Sequence, residues 1–187
     1  MQIVLATSNP NKVEEINAIT QKSGIEFILP PNDFNPIENG KTFEENSFIK
    51  AKEANRLTGM MTLADDSGLC VDALNDEPGI YSARYAETPA KRIEKLLKNL
   101  ENVEDRSARF KCAMTLISPE GELLFSTVGV CEGEIAYDVK GQNGFGYDPV
   151  FVVAGKNMTM AELSEEDKNK ISHRAVALEK VMNFLCK

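Results

Sequence analysis

The middle of this sequence places two adjacent carboxylates at the end of an apolar segment, and the other motifs are best understood around them. The apolar run Met61–Ala64 predicts a short strand. Asp65 and Asp66 follow directly, and Gly68 allows a tight turn shortly afterwards. Active-site groups of α/β proteins commonly lie at such C-terminal strand ends. The segment is therefore a candidate active site, although an Asx-turn that caps the following amides would use the same residues.

The two aspartates are expected to have different roles. Neighbouring side chains on an extended segment point to opposite sides. One carboxylate, that of Asp65 or that of Asp66, can face a bound metal ion or a water molecule while the other stabilises the turn. The sequence leaves open which aspartate takes which role.

A second candidate site follows the first apolar strand, Gln2–Ala6. A polar loop separates this strand from a helical pattern that closes at Gly24. The order of strand, polar loop and helix presents free backbone amides to an anion, so we predict phosphate binding here. Simple helix capping by Asn9 or Asn11 is the alternative. The loop supplies hydroxyl and amide donors and one cation, namely Thr7, Ser8, Asn9 and Lys12.

Composition narrows the class of protein. A chain of 187 residues fits one domain, or one domain with two lobes. Its net charge of −8 argues against a general nucleic-acid-binding surface, so a polyanion would need a local basic cluster or a divalent metal ion. No apolar run is long enough to span a membrane, and no signal-peptide pattern begins at Met1. The scattered cysteines lack metal-ligand spacing and indicate free thiols in a reducing cytoplasm.

One long helix is predicted between the two candidate sites. It begins at the capping box Thr42–Glu45 and runs to about Gly59. Its apolar stripe, which starts at Phe48, is expected to face the core. Glu38 lies on the loop before this helix, where a glutamate is usually solvated, so a metal-binding role for it needs support from other motifs.

The second half of the chain combines a hairpin with a glycine-rich loop. Alternating apolar residues from Ala108 to Leu116 predict a strand, with Leu123–Cys131 as its antiparallel partner. The loop Asp138–Asp148 carries glycine-flanked aromatic rings, which suit stacking on a flat ligand and suit a buried turn equally well. His173, at the start of the last helix, is expected to be a neutral hydrogen-bonding group. A local concentration of cations surrounds it: Lys168, Lys170 and Arg174.

Six ordered segments together resemble the inosine triphosphate pyrophosphatases, also called dITP/XTP pyrophosphatases. They follow the family's order from residue 3 to about residue 180, so the resemblance covers nearly the whole chain. Each motif alone is weak, whereas the ordered set is specific. At Gln142-Asn143, relatives usually carry smaller residues, so the resemblance leaves open the path of the glycine-rich loop Asp138–Asp148. The segments are Ala6–Lys12, Thr42–Asn46, Ala64–Leu69, Pro78–Tyr85, Gly144–Pro149 and Ile171–Arg174.

The resemblance implies an α/β fold with an elongated mixed β-sheet, flanking helices and two lobes around a central cleft. It implies a single pyrophosphatase domain over residues 1–187 and a homodimer. The activity it implies is Mg²⁺-dependent hydrolysis of non-standard purine nucleoside triphosphates (ITP, dITP and XTP) to the monophosphate and pyrophosphate, which cleanses the nucleotide pool. The expected location is the cytoplasm, with no nucleic-acid or membrane partner.

The resemblance also assigns roles by position. Glu38 and Asp66 would hold the metal, Asp66 would be the catalytic proton acceptor, and Lys12 would act at the phosphates. A water activated by a carboxylate or a metal would attack the α-phosphorus. We favour water over an aspartyl-phosphate because the sequence has no Asp-x-Asp nucleophile motif. The implied substrate contacts are Thr7, Ser8, Asn9, Pro10, Asn11, Lys12, Ser67, Phe145, Gly146, Tyr147, Asp148, Lys168, His173 and Arg174.

Two other functions fit part of the sequence. A related pyrophosphatase of modified pyrimidine triphosphates, of the septum-inhibitor type, fits the first loop but not the Ser172-His173-Arg174 ending. A nucleotide-sensing module would bind without turnover. The presence of Lys12, Glu38 and Asp66 argues against such a module, because binding alone does not require a proton acceptor and metal ligands.

Overall fold

The computed structural model describes residues 1–21 and 23–186, without the side chain of Asn11. Within this part of the chain, six strands form one sheet. They are β1 (Gln2–Leu5), β2 (Glu26–Ile28), β3 (Thr62–Val71), β4 (Ser107–Ile117), β5 (Leu123–Ile135) and β6 (Phe151–Val153).

The sheet is mixed. Its strand order is β2-β1-β3-β4-β5-β6. β1 pairs in parallel with both β2 and β3, whereas β5 and β6 are antiparallel. Parallel strands require crossover connections, and the helices that follow β1 and β2 along the chain supply them. This arrangement confirms the predicted α/β class with a mixed sheet and flanking helices.

The second helix begins and ends at its predicted signals, whereas the first helix ends at Thr20, before the predicted Gly24. The Thr42 side chain accepts a hydrogen bond from the Glu45 amide at the start of the second helix, and Gly59 ends that helix with a φ of 62°. None of the described helices is long and apolar enough to cross a lipid bilayer. The helices are α1 (Pro10–Thr20), α2 (Phe43–Thr58), α3 (Pro89–Asn99), α4 (Glu165–Ile171) and α5 (His173–Leu185).

The chain forms two compact units, each built from separate segments. Unit 1 comprises Met1–Asp66, Cys112–Gly129 and Ala175–Lys187, and unit 2 comprises Ser67–Lys111 and Val130–Arg174. Unit 1 buries an apolar cluster that includes Ile3, Phe27, Met114 and Leu178. Unit 2 buries its own cluster, which includes Leu69, Leu96, Phe110 and Phe151. Each unit therefore has a buried apolar cluster of its own.

The turn predicted at Gly68 is wrong. β3 continues through Asp65, Asp66 and Gly68 and ends at Val71. The physical reason is the apolar sequence beyond the glycine: Leu69 and Val71 are fully buried, and the Leu69 amide donates to the Ser82 hydroxyl at 2.9 Å. Burying these side chains favours an extended chain over a turn that would expose them.

The core-facing position predicted for Phe48 is also wrong, because 41% of this side chain is exposed. The buried face of α2 instead combines small apolar residues with polar ones, including Asn46, Ser47 and Lys50. Buried polar groups need hydrogen-bonding or ionic partners. Those partners define the first part of the candidate site.

Candidate active site

Asp65 and Asp66 contact different lysines within unit 1. The Lys12 ammonium donates to both carboxylate oxygens of Asp65, at 2.9 Å each. The Lys50 ammonium donates to Oδ1 of Asp66 at 2.8 Å. Alternation along β3 explains the separation, because consecutive side chains project to opposite sides of a strand. The two aspartates therefore have different partners, in agreement with the different roles expected of them.

Lys50, which was not among the residues predicted from the sequence, also belongs to this candidate site. It lies on α2, it is only 7% exposed, and its ammonium is also 3.3 Å from Oε2 of Glu38. A signal was present in the sequence. Lys50 precedes the buried Ala51 and is four residues from the buried Ala54, so it falls on the core face of the helix. A lysine at such a position is buried only when it is paired.

Negative charge is in excess around Asp66. Burial raises the pKa of Asp66 above its ordinary value, and Glu38 and Asp65 act in the same direction, whereas Lys50 opposes them. Burial also disfavours the charged form of Lys50, but the surrounding carboxylates outweigh it and hold the pKa of Lys50 above its ordinary value. The charges thus comprise three carboxylates against the ammonium groups of Lys12 and Lys50. Such a site attracts a further cation.

The donor set fits a magnesium ion that also binds phosphate. Within the described residues, no group of three or more His, Cys, Asp or Glu side chains forms a complete protein-only metal site. Magnesium often binds one or two carboxylates and completes its shell with water and substrate phosphates. Glu38 and Asp66 meet this requirement, because both lie within ion-pairing distance of the same Lys50 nitrogen and so converge on one cationic position.

The first loop has the predicted geometry. α1 begins at Pro10, directly after the polar loop that follows β1, and proline is well suited to the first position of a helix. Thr7 is buried, and its hydroxyl accepts from the Asn9 amide at 3.1 Å. Ser8 and Pro10 are exposed, Asn9 and Lys12 are half-buried, and the side chain of Asn11 lies outside the described part of the chain. Phosphate binding by this loop stays a prediction.

Unit 2 holds an exposed aromatic ring beside two cations. Half of Phe145 is exposed, and the Lys168 ammonium lies 4.7 Å from its ring centroid. The Arg174 guanidinium lies 5.9 Å from the same centroid. Cations at these distances interact favourably with the ring, and Phe145 keeps an exposed surface for a flat ligand.

Asp148 holds this aromatic loop in place. Its Oδ2 accepts from the Phe145 amide at 2.9 Å and from the Lys168 ammonium at 2.7 Å. Gly144, at a φ of 75°, makes this approach possible, since a Cβ atom there would lie 2.1 Å from Asp148 Oδ2. Asp148 is only 4% exposed, so its acceptor capacity serves the loop and Lys168.

The other predicted contacts of unit 2 occupy distinct environments. Tyr147 packs in the core and donates its hydroxyl to the Ser82 carbonyl at 2.9 Å, whereas the adjoining Gly146 is half-buried. Arg174 is almost fully buried and donates to the Ser67 hydroxyl at 3.3 Å. His173 stacks on Phe110 with a centroid distance of 4.8 Å. Of the two aromatic rings in the loop, Phe145 is therefore the one that remains open to a ligand.

Comparison with known proteins gives concordant matches over the full chain. The model of the Ham1 family matches residues 3–184. A dITP/XTP pyrophosphatase of Bacillus licheniformis is 47% identical over 192 aligned positions, which cover 98% of this chain and 97% of that protein. A second dITP/XTP pyrophosphatase, from Elusimicrobium minutum, is 48% identical and covers 97% of this chain and 98% of its own. The solved structure of a HAM1 protein from Coxiella burnetii superposes with a TM-score of 0.91 at 43% identity, covering 100% of this chain and 98% of that one.

Proposed function

The chain belongs to the Ham1 family, and we propose that it is a nucleoside triphosphate pyrophosphatase that converts ITP, dITP and XTP to the monophosphate and pyrophosphate with Mg²⁺. The observation that carries this proposal is the convergence of Glu38 and Asp66 on one cationic position at Lys50. A phosphate-bound magnesium ion is usually held by one or two carboxylates, and this pair can supply them. The activity would remove non-standard purines from the nucleotide pool.

The residues of unit 1 are assigned to the phosphates. Glu38 and Asp66 would hold Mg²⁺, which when bound supplies positive charge to a polyphosphate that a protein of net charge −8 must neutralise locally. The loop Thr7–Lys12 would bind phosphate oxygens through its hydroxyl and amide donors at the start of α1. Asp65 fixes the Lys12 ammonium through two hydrogen bonds, so this cation is held in place before substrate arrives.

Asp66 is assigned to the chemical step. Water would attack the α-phosphorus as the bond from that phosphorus to its bridging oxygen breaks, with the water proton passing to the Asp66 carboxylate. Burial raises the pKa of Asp66 above its ordinary value, which favours acceptance of a proton, whereas a bound cation would act in the opposite direction. Lys50 holds this carboxylate from the side of α2 and adds positive charge to the site.

The residues of unit 2 are assigned to the base. The exposed ring of Phe145 would stack on the purine, and Lys168, His173 and Arg174 would donate hydrogen bonds to it or to a phosphate. Ser67, Gly146, Tyr147 and Asp148 would complete or support the pocket. Hypoxanthine and xanthine carry an acceptor oxygen at purine position 6, whereas adenine carries a donor amino group there. A pocket rich in donors would leave some of them unpaired against adenine, which disfavours ATP.

The assembly and location follow the same proposal. We infer a homodimer, as the family resemblance implies, with one pyrophosphatase domain over residues 1–187 in each subunit. Cys70, Cys112, Cys131 and Cys186 form no disulfide with one another, which supports a cytoplasmic location. The net charge of −8 supports the absence of a nucleic-acid partner.

Product analysis by phosphorus NMR tests the proposed reaction. Purified protein with ITP and Mg²⁺ should yield inosine monophosphate and pyrophosphate, with no inosine diphosphate, because the α-phosphorus is the centre attacked. Chelation of the metal should stop the reaction. Release of orthophosphate with a diphosphate product, or binding of ITP without turnover, would contradict the proposal.

A further inference from the structure

The structure carries an inference about how the two metal-binding carboxylates are held. Resting on the proposed function, we propose that Asn46 and Ser47 are positioning residues that hold Glu38 and Asp66 where they can share one metal ion. Neither residue is assigned to touch the substrate or the metal. Both lie on the buried face of α2, together with Lys50.

Asn46 fixes the loop that carries Glu38. The Asn46 side chain is 1% exposed, and its Oδ1 accepts from the Gly40 amide at 2.9 Å, two residues beyond Glu38. The Glu38 loop packs tightly against α2 at Gly40, since a Cβ atom on this glycine would lie only 2.7 Å from Asn46 Oδ1 and 2.8 Å from Glu45 Cβ. A second hydrogen bond, from the Lys41 amide to Glu45, ties the same loop to the first turn of α2.

Ser47 fixes the strand that carries Asp66. Its side chain is fully buried, and its hydroxyl donates to the Ala64 carbonyl at 3.0 Å, two residues before Asp66. Strand β3 is thus anchored to the helix immediately before the two aspartates. A buried hydroxyl that already has this partner is not available to a ligand.

Lys50 completes the arrangement one turn later on the same helix. Positions 46, 47 and 50 share one helical face because residues three and four apart are neighbours on a helix surface. Asn46 holds the Glu38 loop, Ser47 holds β3, and Lys50 contacts both carboxylates. One rigid helix therefore sets the positions of Glu38 and Asp66 relative to each other.

The first experiment measures Mn²⁺ binding to the full chain by electron paramagnetic resonance, without substrate. Outer-sphere partners of metal ligands typically contribute about 10- to 100-fold to metal affinity. Asn46 acts through the Gly40 backbone amide and does not contact the Glu38 carboxylate directly, so Asn46→Ala should raise the Mn²⁺ dissociation constant by about 10-fold, the lower end of that range. Ser47→Ala should act in the same direction, and Ser47→Thr, which keeps the hydroxyl, should restore much of the affinity.

The matched control is Asn55→Ala. Asn55 is also a buried asparagine of α2, and its amide donates to the carbonyls of Met60, Ser118 and Pro119, which do not carry the carboxylates. This variant should lose stability but bind Mn²⁺ within about twofold of the wild type, because the Asn55 side chain holds neither the Gly40 amide beside Glu38 nor the Ala64 carbonyl beside Asp66. If Asn46→Ala and Asn55→Ala lose stability equally and both retain wild-type Mn²⁺ binding, the positioning role is overturned.

Three further measurements keep the proposal testable. Gly40→Ala displaces the same loop from its other side, so it should weaken Mn²⁺ binding even if Asn46→Ala fails to fold. In pyrophosphate release, the positioning variants should need more Mg²⁺ for half-maximal rate but recover most of kcat at saturating Mg²⁺.

Glu38→Gln separates this proposal from the proposed function. If that variant and the wild type bind Mn²⁺ equally, the metal site itself is wrong, and the positioning role falls with it.

Discussion

Replacing Lys50 with methionine should test the charge balance of unit 1. Methionine keeps the length and apolar character of the lysine stem, so the main loss is the ammonium group. That group lies 2.8 Å from Asp66 and 3.3 Å from Glu38, and the side chains of Lys50 and Asp66 are only 9% and 13% exposed. Lys50→Met therefore leaves a buried carboxylate without its ion-pair partner.

The expected loss of stability is large for a single substitution. Removing one partner of a buried ion pair typically costs about 3–5 kcal/mol, and the partial exposure of Glu38 places the estimate at the lower end, about 3 kcal/mol. With a urea m-value of about 2 kcal/mol/M for a chain of this size, the unfolding midpoint should fall by about 1.5 M. Because Mg²⁺ would bind the carboxylates left by Lys50→Met, added Mg²⁺ should raise the midpoint of this variant more than that of the wild type.

Urea titrations followed by circular dichroism, with and without Mg²⁺, measure both effects. Arg56→Met is the matched control, since Arg56 lies on the same helix and pairs with Glu53 while its own side chain is 66% exposed. Exposed pairs contribute about 0–1 kcal/mol, so the control midpoint should shift by less than about 0.5 M. An equally small shift for Lys50→Met, with no added response to Mg²⁺, would refute the argument that Lys50 balances a cation-binding pair of carboxylates.

Three further predictions address single side chains. Asp66→Asn should lower kcat for ITP by at least about 100-fold while the circular dichroism spectrum remains native, since losing a positioned general base typically costs that much or more. A variant that keeps more than about a tenth of the wild-type rate would contradict the role of Asp66 as proton acceptor. Phe145→Ala should raise KM for ITP with little change in Tm, because half of this ring is exposed and little packing is lost; an unchanged KM would remove the stacking role. Burial raises the pKa of Cys131 to about 11. At pH 8 its thiol should therefore react far more slowly with a disulfide reagent than the thiol of the exposed Cys186. A fast reaction of Cys131 in the native protein would contradict its buried environment.

Local signals in the sequence predicted the elements that depend on nearby residues. The capping Thr42 and the terminating Gly59 mark α2 where the structure has it. These signals act through hydrogen bonds and backbone angles within one turn of the helix, so the sequence alone is sufficient.

The errors and omissions involve contacts between residues that are distant along the chain. Phe48 was expected in the core because it is apolar, but the face of α2 that is buried depends on which side meets β3. Lys50 was not singled out because its partners are at positions 38 and 66. The helical spacing indicates that Lys50 lies on the core face of α2, but only the tertiary structure shows which carboxylates pair with it.

The residues of the candidate site also divide into those that local motifs predict and those whose partners only tertiary packing decides. The motifs pointed to Asp65, Asp66, Lys12 and the aromatic loop because their residue types are suited to phosphate and base recognition. The sequence could not assign Lys12 to Asp65, nor distinguish the exposed Phe145 from the buried Tyr147. Both distinctions depend on packing.

The most direct test of the central claim is the ratio of kcat/KM for ITP to that for ATP, measured by pyrophosphate release in the presence of Mg²⁺. Donors left unpaired against adenine discriminate strongly, so the ratio should be at least about 100, with XTP similar to ITP. Comparable kcat/KM for ITP and ATP, within about threefold, would show that the pocket does not read purine position 6 through hydrogen-bond donors and would contradict the account.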